Sequence, residues 1–402
     1  MIANKRGRLG DDAQLAIGHD ANLRRLIQRT RRKERPAVPE TVADIVIDGD
    51  YVNTIGDDPA SFLIYDNGQD ADSRIIVFAS NADLRIMAEA NIWYMDGNYA
   101  MAPRGFLQLY VIRATVGNVT VSVAYALLQN KTQDAYEELF QAILTKCEAM
   151  DLFPDPTLVL VDFEKAVINA LKETFGPTLE VKGCFYHLTQ ATWRKIQELG
   201  LTQLYKGSEE FKTFCGMLDG LAFLPTDDLE EGLAYLREIQ PDGAEPLLEY
   251  FAVNYVEGTF RRIRNRRGAG IRIRRKPAQY PPQLWNVHEA TINNEPRTNN
   301  QCEAWNNRFR FIVGFQHPDI WTLIEAIQKE ERSVRAVTAH DAIGNPPPKR
   351  CRRESKELQR RLRTLCLDRS ANRRDVRQTL RGIAHNIRWK PINREHQEGN
   401  PE

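Results

Sequence analysis

The chain of 402 residues contains no run of about eighteen consecutive apolar residues, so it offers no membrane-spanning helix. Its first stretch, MIANKRGRLGDDAQ, lacks the apolar core of a secretory signal. Cysteine is sparse: Cys147, Cys184, Cys215, Cys302, Cys351 and Cys366 lie far apart without the spacing of a disulfide framework. Reduced thiols in an intracellular compartment are the expectation. Net charge is scarce as well, at +1. A secreted disulfide scaffold and an integral membrane protein are both disfavoured, which turns attention to how the charge is distributed.

That distribution is strongly segregated. Residues 209–249 hold eleven Asp or Glu against Lys212 and Arg237, whereas residues 261–276 hold nine Lys or Arg and no acid. From Lys349 to Arg381 there are thirteen basic and four acidic residues, a net of +9, and RRLIQRTRRKER (24–35) forms a further basic block. One such run is commonly a solvated helix face. Three together suit a phosphate backbone, so nucleic acid is the expected partner and no membrane is. The run PPPKRCRR (346–353) has the form of a short nuclear import signal, and a solvated basic linker reads equally well; the nucleus is the expected location.

Length and a hydrophobic content of 42% predict two or three domains with a real core. Residues 1–40 read as a basic N-terminal arm, with a short helix around 20–33 ended by prolines. Residues 41–91 read as an extension in which FLIYD (62–66) and RIIVFA (74–79) form a hairpin before a helix over 81–90. Residues 92–199 are the most regular part. Strands are expected over 92–96, 106–116 and 119–129, the last two joined at Gly117-Asn118. A helix opens at Thr132, with Ala135, Tyr136, Leu139, Phe140, Ile143, Leu144 and Cys147 on one face. TLVLVD (157–162) reads as a buried parallel strand, FEKAVINALKETF as a helix stopped at Gly176-Pro177, EVKGCFY (180–186) as a strand, and 188–199 as a helix. This order predicts an α/β fold, a ribonuclease H-like mixed sheet with helices on both faces. Residues 200–298 then read as an α-helical insertion that includes a flexible Arg-rich loop from Arg261 to Tyr280, which the acidic block is placed to pair with. Residues 299–345 return to the core as helices, and residues 346–402 read as a basic C-terminal tail.

Three carboxylates fall at element boundaries: Asp96 ending the first core strand, Asp162 ending the fourth, and Glu303 in the first turn of a later helix. Any acidic residue at a strand end is more often solvated or capping a turn. Here, however, WYMD and LVLVD bury the approach to each Asp, and open α/β sheets gather ligands at strand ends. If those strands are adjacent, the carboxylates can hold two divalent cations around a scissile phosphate. The ions expected are Mg²⁺ or Mn²⁺, hard cations suited to carboxylate oxygen. Phosphate contacts are expected from Arg261, Arg262, Arg264, Arg266, Arg267, Arg272, Arg274, Arg275 and Lys276. Trp285, Trp305 and Trp321 are candidates for base stacking, against the commoner role of tryptophan in a core.

Four stretches in one order, DGNYAMAPRGFLQLYVIRATVGNVTVSVAYALLQNKTQDAYEELF, VDFEKAVINAL, GCFYHLTQA and RTNNQCEAWNNRF, closely resemble Mutator-like element (MULE) transposases of the DDE superfamily. The resemblance implies metal-dependent DNA strand cleavage and strand transfer at element ends. Asp96 would bridge two metal ions, and Asp162 and Glu303 would each complete one shell. It also implies terminal and target DNA as partners and a homo-oligomer in the synaptic complex. Cys184 and His187 match the family's Cys-x-x-His signature. Two ligands are too few for zinc, so a buried thiol and a hydrogen-bonded histidine are expected, with the pair kept as DNA-contact candidates. Two departures stand out: Asn306 follows Trp305 where the family commonly has His, and Asn98-Tyr99 stands where Thr-Phe is common. No zinc-binding spacing precedes residue 40. The alternative these departures favour is a domesticated, catalytically inactive DNA-binding regulator; a protein-interaction module built on the helical insertion is a third reading.

Overall fold

The computed structural model describes residues 35–264, 271–345 and 353–388. The arm expected before Arg35, the phosphate-contact candidates Arg266 and Arg267, and most of the import-type run lie outside these residues. Arg35 itself is docked, forking onto Glu325 with both contacts at 2.7 Å.

Seven strands form one mixed sheet in the order β1-β2-β5-β4-β3-β6-β7. They are β1 (Leu63–Asp66), β2 (Ile75–Phe78), β3 (Ile92–Asn98), β4 (Gln108–Val116), β5 (Val119–Leu128), β6 (Leu158–Val161) and β7 (Glu180–Gly183). β3, β4 and β5 are antiparallel, and the β4–β5 turn falls at Gly117, whose φ of 52° suits a tight hairpin. β6 joins β3 in parallel and β7 joins β6 likewise, while the β1–β2 hairpin extends the opposite edge through β5. Two expected boundaries need correction. β3 continues to Asn98, so Asp96 lies inside a strand. β7 stops at Gly183 because Cys184 caps the next helix, so Phe185 and Tyr186 are helical.

α1 (Asn81–Glu89), α2 (Gln133–Glu148) and α3 (Lys165–Phe175) cover one face of the sheet. Thr132 caps α2 by accepting from the Ala135 amide at 3.3 Å, and the apolar stripe from Ala135 to Cys147 is buried as its spacing predicts. Burying each large aliphatic or aromatic side chain there contributes about 1.5–3 kcal/mol.

A helical body follows: α4 (Phe185–Glu198), α5 (Thr202–Gly207), α6 (Glu209–Gly220), α7 (Leu229–Glu238) and α8 (Glu245–Phe251). The Arg-rich segment, expected as a flexible loop, instead pairs with itself as the antiparallel strands β8 (Thr259–Arg264) and β9 (Ile271–Lys276). The alternation Ile-Arg-Ile-Arg at 271–274 is the period-two signal behind this. The short α9 (Pro282–Trp285) and α10 (His288–Ile292) lead to α11 (Asn300–Val313) and α12 (Ile320–Ala342). Trp305 and Phe309 of α11 and Trp321, Leu323 and Ile324 of α12 pack on the second face of the sheet, against Phe78, Val111 and Tyr125.

The expected basic tail is corrected by α13 (Arg353–Ser370) and α14 (Val376–Arg388), which belong to the helical body. Leu362, Cys366, Leu380 and Ile383 share a core with Phe214 and Leu233. Arg369 forks onto Asp228 at 2.7 and 3.0 Å, and Arg377 reaches Glu238 at 3.1 Å. The acidic block is thus matched by C-terminal arginines, and part of the +9 run is neutralised within the chain. Among the described residues no helix is long and apolar enough to cross a membrane.

Candidate active site

β3 and β6 are adjacent and parallel, with Tyr94 paired to Leu160. Asp96 and Asp162 each stand two residues further along, so they continue one row. Alternate residues share a sheet face. Both carboxylates therefore leave on the side where Tyr94 and Leu160 pack against Cys302 of α11. Asn299 fastens the start of α11 there. Its backbone N–H donates to Cys184 Sγ at 3.0 Å, and its side-chain amide donates to the Met95 carbonyl at 2.8 Å. Glu303 stands in the first turn of that helix, and its charge acts on the Asp96 carboxylate.

The electrostatics record this gathering. Burial pushes Asp96 up to about 7, helped by the negative charges of Asp162 and Glu303; the Gly97 N–H and the Asn306 amide act in the opposite sense. Burial also pushes Glu303 up to about 7. Glu164, two residues after Asp162, is raised by burial and then by Asp162, with Lys131 at 3.7 Å. Burial and the neighbouring negative charges disfavour the charged form of Asp96, burial alone that of Glu303, and a divalent cation would offset that penalty. Among the described residues no three His, Cys, Asp or Glu side chains converge as a ready-made metal cluster. The donor chemistry of Asp96, Asp162 and Glu303 fits a hard cation, although their side chains do not form a closed shell.

The two departures noted in the sequence meet at this point. Asn306 donates to Asp96 Oδ2 at 2.8 Å and accepts from the Asn98 amide at 2.9 Å, while Asn98 Oδ1 accepts from the Met101 amide at 3.2 Å. Sequence reasoning noted both as departures from the family pattern and missed that they form one chain of hydrogen bonds ending on Asp96. It also passed over Glu164 and Lys131.

Other candidates separate clearly. Cys184 is buried, with its Sγ accepting from the Asn299 N–H, and burial pushes its thiol up to about 11. His187 lies near Asp162; burial lowers its pKa while Asp162 acts to raise it. Its Nδ1 is buried without a hydrogen-bond partner among the described residues. Trp285, Trp305 and Trp321 are buried, with their indole N–H groups bonded to Tyr255 O, Glu330 Oε1 and Ala37 O. They are core residues and not stacking platforms. Arg261, Arg262, Arg264, Arg272 and Arg274 lie on the β8–β9 hairpin, and Arg275 and Lys276 are exposed at its base.

Compared with known families, residues 92–191 match the model of the MULE transposase domain. The matched stretch runs from the start of β3 into α4. It includes Asp96, Asp162, Cys184 and His187 and ends before Glu303. No curated protein matches the chain.

Proposed function

With residues 92–191 a MULE transposase domain, we propose that the chain is a DNA transposase acting through Asp96, Asp162 and Glu303 to cleave strands at element ends and join them to target DNA with divalent metal. The observation that carries this reading is the shared row of Asp96 in β3 and Asp162 just past the end of the adjacent parallel β6, with Glu303 acting on the same Asp96 carboxylate from α11. The strand order β5-β4-β3-β6-β7 supports it as a ribonuclease H-like arrangement. The β1–β2 hairpin is an added edge, and the helical body lies between the second aspartate and the glutamate.

Asp96, influenced by both other acids, would be the central metal-holding carboxylate, with Asp162 and Glu303 completing the set. Bound Mg²⁺ or Mn²⁺ would supply activation of the attacking hydroxyl and charge stabilisation at the phosphate. The protein's own part is positional. Asn306 donates to Asp96 Oδ2 and so orients the carboxylate that would hold the ion. Asn299 ties α11 to β3 and to the start of α4, so that Glu303 is held by a helix and not a loop. Lys131, half-exposed beside Glu164 and Tyr99, sets a cation at the rim for a strand phosphate. Terminal and target DNA would lie along this edge and the basic hairpin. Assembly as a homo-oligomer and location in the nucleus belong to the same proposal.

The test is Asp162→Asn in the full chain. Plasmid nicking in Mg²⁺ or Mn²⁺ that disappears while DNA binding persists supports the reading, and unchanged nicking refutes the triad. A wild-type chain that binds DNA and nicks with neither metal is instead the inactive regulator.

A further inference from the structure

With Trp285, Trp305 and Trp321 buried, other aromatic groups are available to nucleic acid bases at this site. α11, which carries Glu303 in its first turn, holds Arg310, Phe311 and Ile312 in its last. Phe311 is 88% exposed, Phe315 just beyond the helix 52% and Ile312 44%. The core side of this helix is already supplied by Cys302, Trp305 and Phe309, so Phe311 adds nothing to it. Its exposure is built into the backbone. Gly314 takes φ 90° and ends the helix, and His317 donates its N–H to Ala100 O at 2.7 Å. The loop carrying Phe315 is thereby pinned to the turn that follows β3. That turn presents Tyr99, 44% exposed and three residues after Asp96. The two segments that meet through Asn306 and Asp96 are therefore the same two that display these aromatics.

Charge indicates the kind of partner. Arg310 lies seven residues after Glu303, two helical turns along the same face. It is exposed and makes no ion pair among the described residues. A second copy of the chain would be a natural partner for an apolar patch alone. Aromatic rings interleaved with a free guanidinium, beside a phosphate-directed carboxylate cluster, fit a nucleic acid strand better, because every base has a π-face and every linkage a charge.

We propose that Phe311 and Phe315 form a stacking surface for unpaired bases of the DNA strand flanking the cleaved linkage, with Arg310 on an adjacent phosphate. The proposal rests on the transposase reading and deepens it. Unstacking bases next to the scissile linkage is costly in a duplex, and an aromatic surface on the helix that carries Glu303 offsets that cost where the strand must enter.

The experiment uses the full chain and two DNA probes of the same arbitrary sequence, a blunt duplex and a duplex with a short single-stranded flank whose first unpaired base is 2-aminopurine. The wild type is expected to prefer the flanked probe and to change its 2-aminopurine fluorescence on binding. The Phe311→Ala, Phe315→Ala double variant should lose that signal and about tenfold or more of the affinity for the flanked probe. It should keep its affinity for the blunt duplex and its melting temperature, and Phe311→Trp should retain the signal. Arg310→Ala should reduce the salt dependence of binding by about one phosphate equivalent. Equal wild-type binding of both probes, or an unaltered preference in the double variant, overturns the stacking surface alone. Sedimentation showing a wild-type dimer that the double variant abolishes assigns the patch to a second copy and overturns it too. Failure to bind either probe defeats the transposase reading itself.

Discussion

Asn306 holds Asp96 by one oxygen, its amide donating to Oδ2 at 2.8 Å while its carbonyl is kept in place by Asn98 at 2.9 Å. Asn306→Ala leaves that carboxylate oxygen and the Asn98 amide without partners in a largely buried place, a loss of about 1–3 kcal/mol. The Asn306 amide acts to lower the Asp96 pKa, so its removal should move the pH midpoint of nicking upward and reduce the rate at neutral pH by about tenfold. Asn306→Asp places a further negative charge beside Asp96 and should be the more damaging. An unchanged pH profile in Asn306→Ala would show that the contact does not act on the reaction.

Asp96 and Glu303 both stand at about 7, above their ordinary values of 3.8 and 4.5. Folding therefore raises both pKa values, and the unfolded chain gives up these protons first. Their contribution to stability is fully present below about pH 4 and is lost as pH rises to about 7. A divalent cation displaces the same protons, so its affinity should increase up to about pH 7 and level off above it. Titration calorimetry with Mn²⁺ and thermal melts from pH 5 to 8 measure both effects. Metal-free melting should fall across that range, Mn²⁺ should restore it at pH 8, and Asp162→Asn should weaken the restoration. Mn²⁺ affinity that does not vary with pH would count against Asp96 and Glu303 as ligands.

The parts of this site that the sequence revealed are those encoded locally. LVLV before Asp162 is a short apolar run bounded by polar residues, and Gly117-Asn118 sits between two β-rich stretches; each specifies its element within a few residues. The link between Asn98 and Asn306 spans 208 residues and leaves no periodic trace, because two polar side chains become informative only once the sheet and α11 are assembled. The C-terminal helices were obscured differently. Leu358, Leu362, Leu365 and Cys366 recur at helical spacing, as do Val376, Leu380, Ile383 and Ile387, but the arginines between them made the stretch read as a solvated tail.

Gly97 follows Asp96 in β3, and a Cβ at this position would collide with the side-chain amide of Gln108. That amide is buried and donates to Tyr136 Oη at 2.7 Å, so it has a partner to lose if it moves. Gly97→Ala should destabilise the sheet by about 1–3 kcal/mol and lower nicking through displacement of Asp96. Urea unfolding gives the first quantity and a plasmid assay the second. A variant as stable and as active as the wild type would mean that Gln108 relocates freely.

The helical body should depend on α13 and α14 for its fold. Leu380 and Ile383 are fully buried, and they lie 3.5 and 3.3 Å from where a Cβ on Gly220 of α6 would stand. The two helices thus approach closely along a glycine. Removing residues from 353 onward would expose that core and leave Asp228 without Arg369. Leu380→Ala should cost about 2–5 kcal/mol by leaving a cavity. Arg369→Ala should cost less, since it breaks a partly buried pair without opening the core. Circular dichroism melts of the three proteins test the order: truncation should remove cooperative unfolding of the helical body, Leu380→Ala should lower its midpoint clearly, and Arg369→Ala should lower it least. A truncated chain that melts cooperatively at the wild-type temperature would make these helices an appendage. The intramolecular pairing of Arg369 and Arg377 would then cease to be a structural reason for the basic run, and the DNA-facing role would have to be reconsidered for the whole of it.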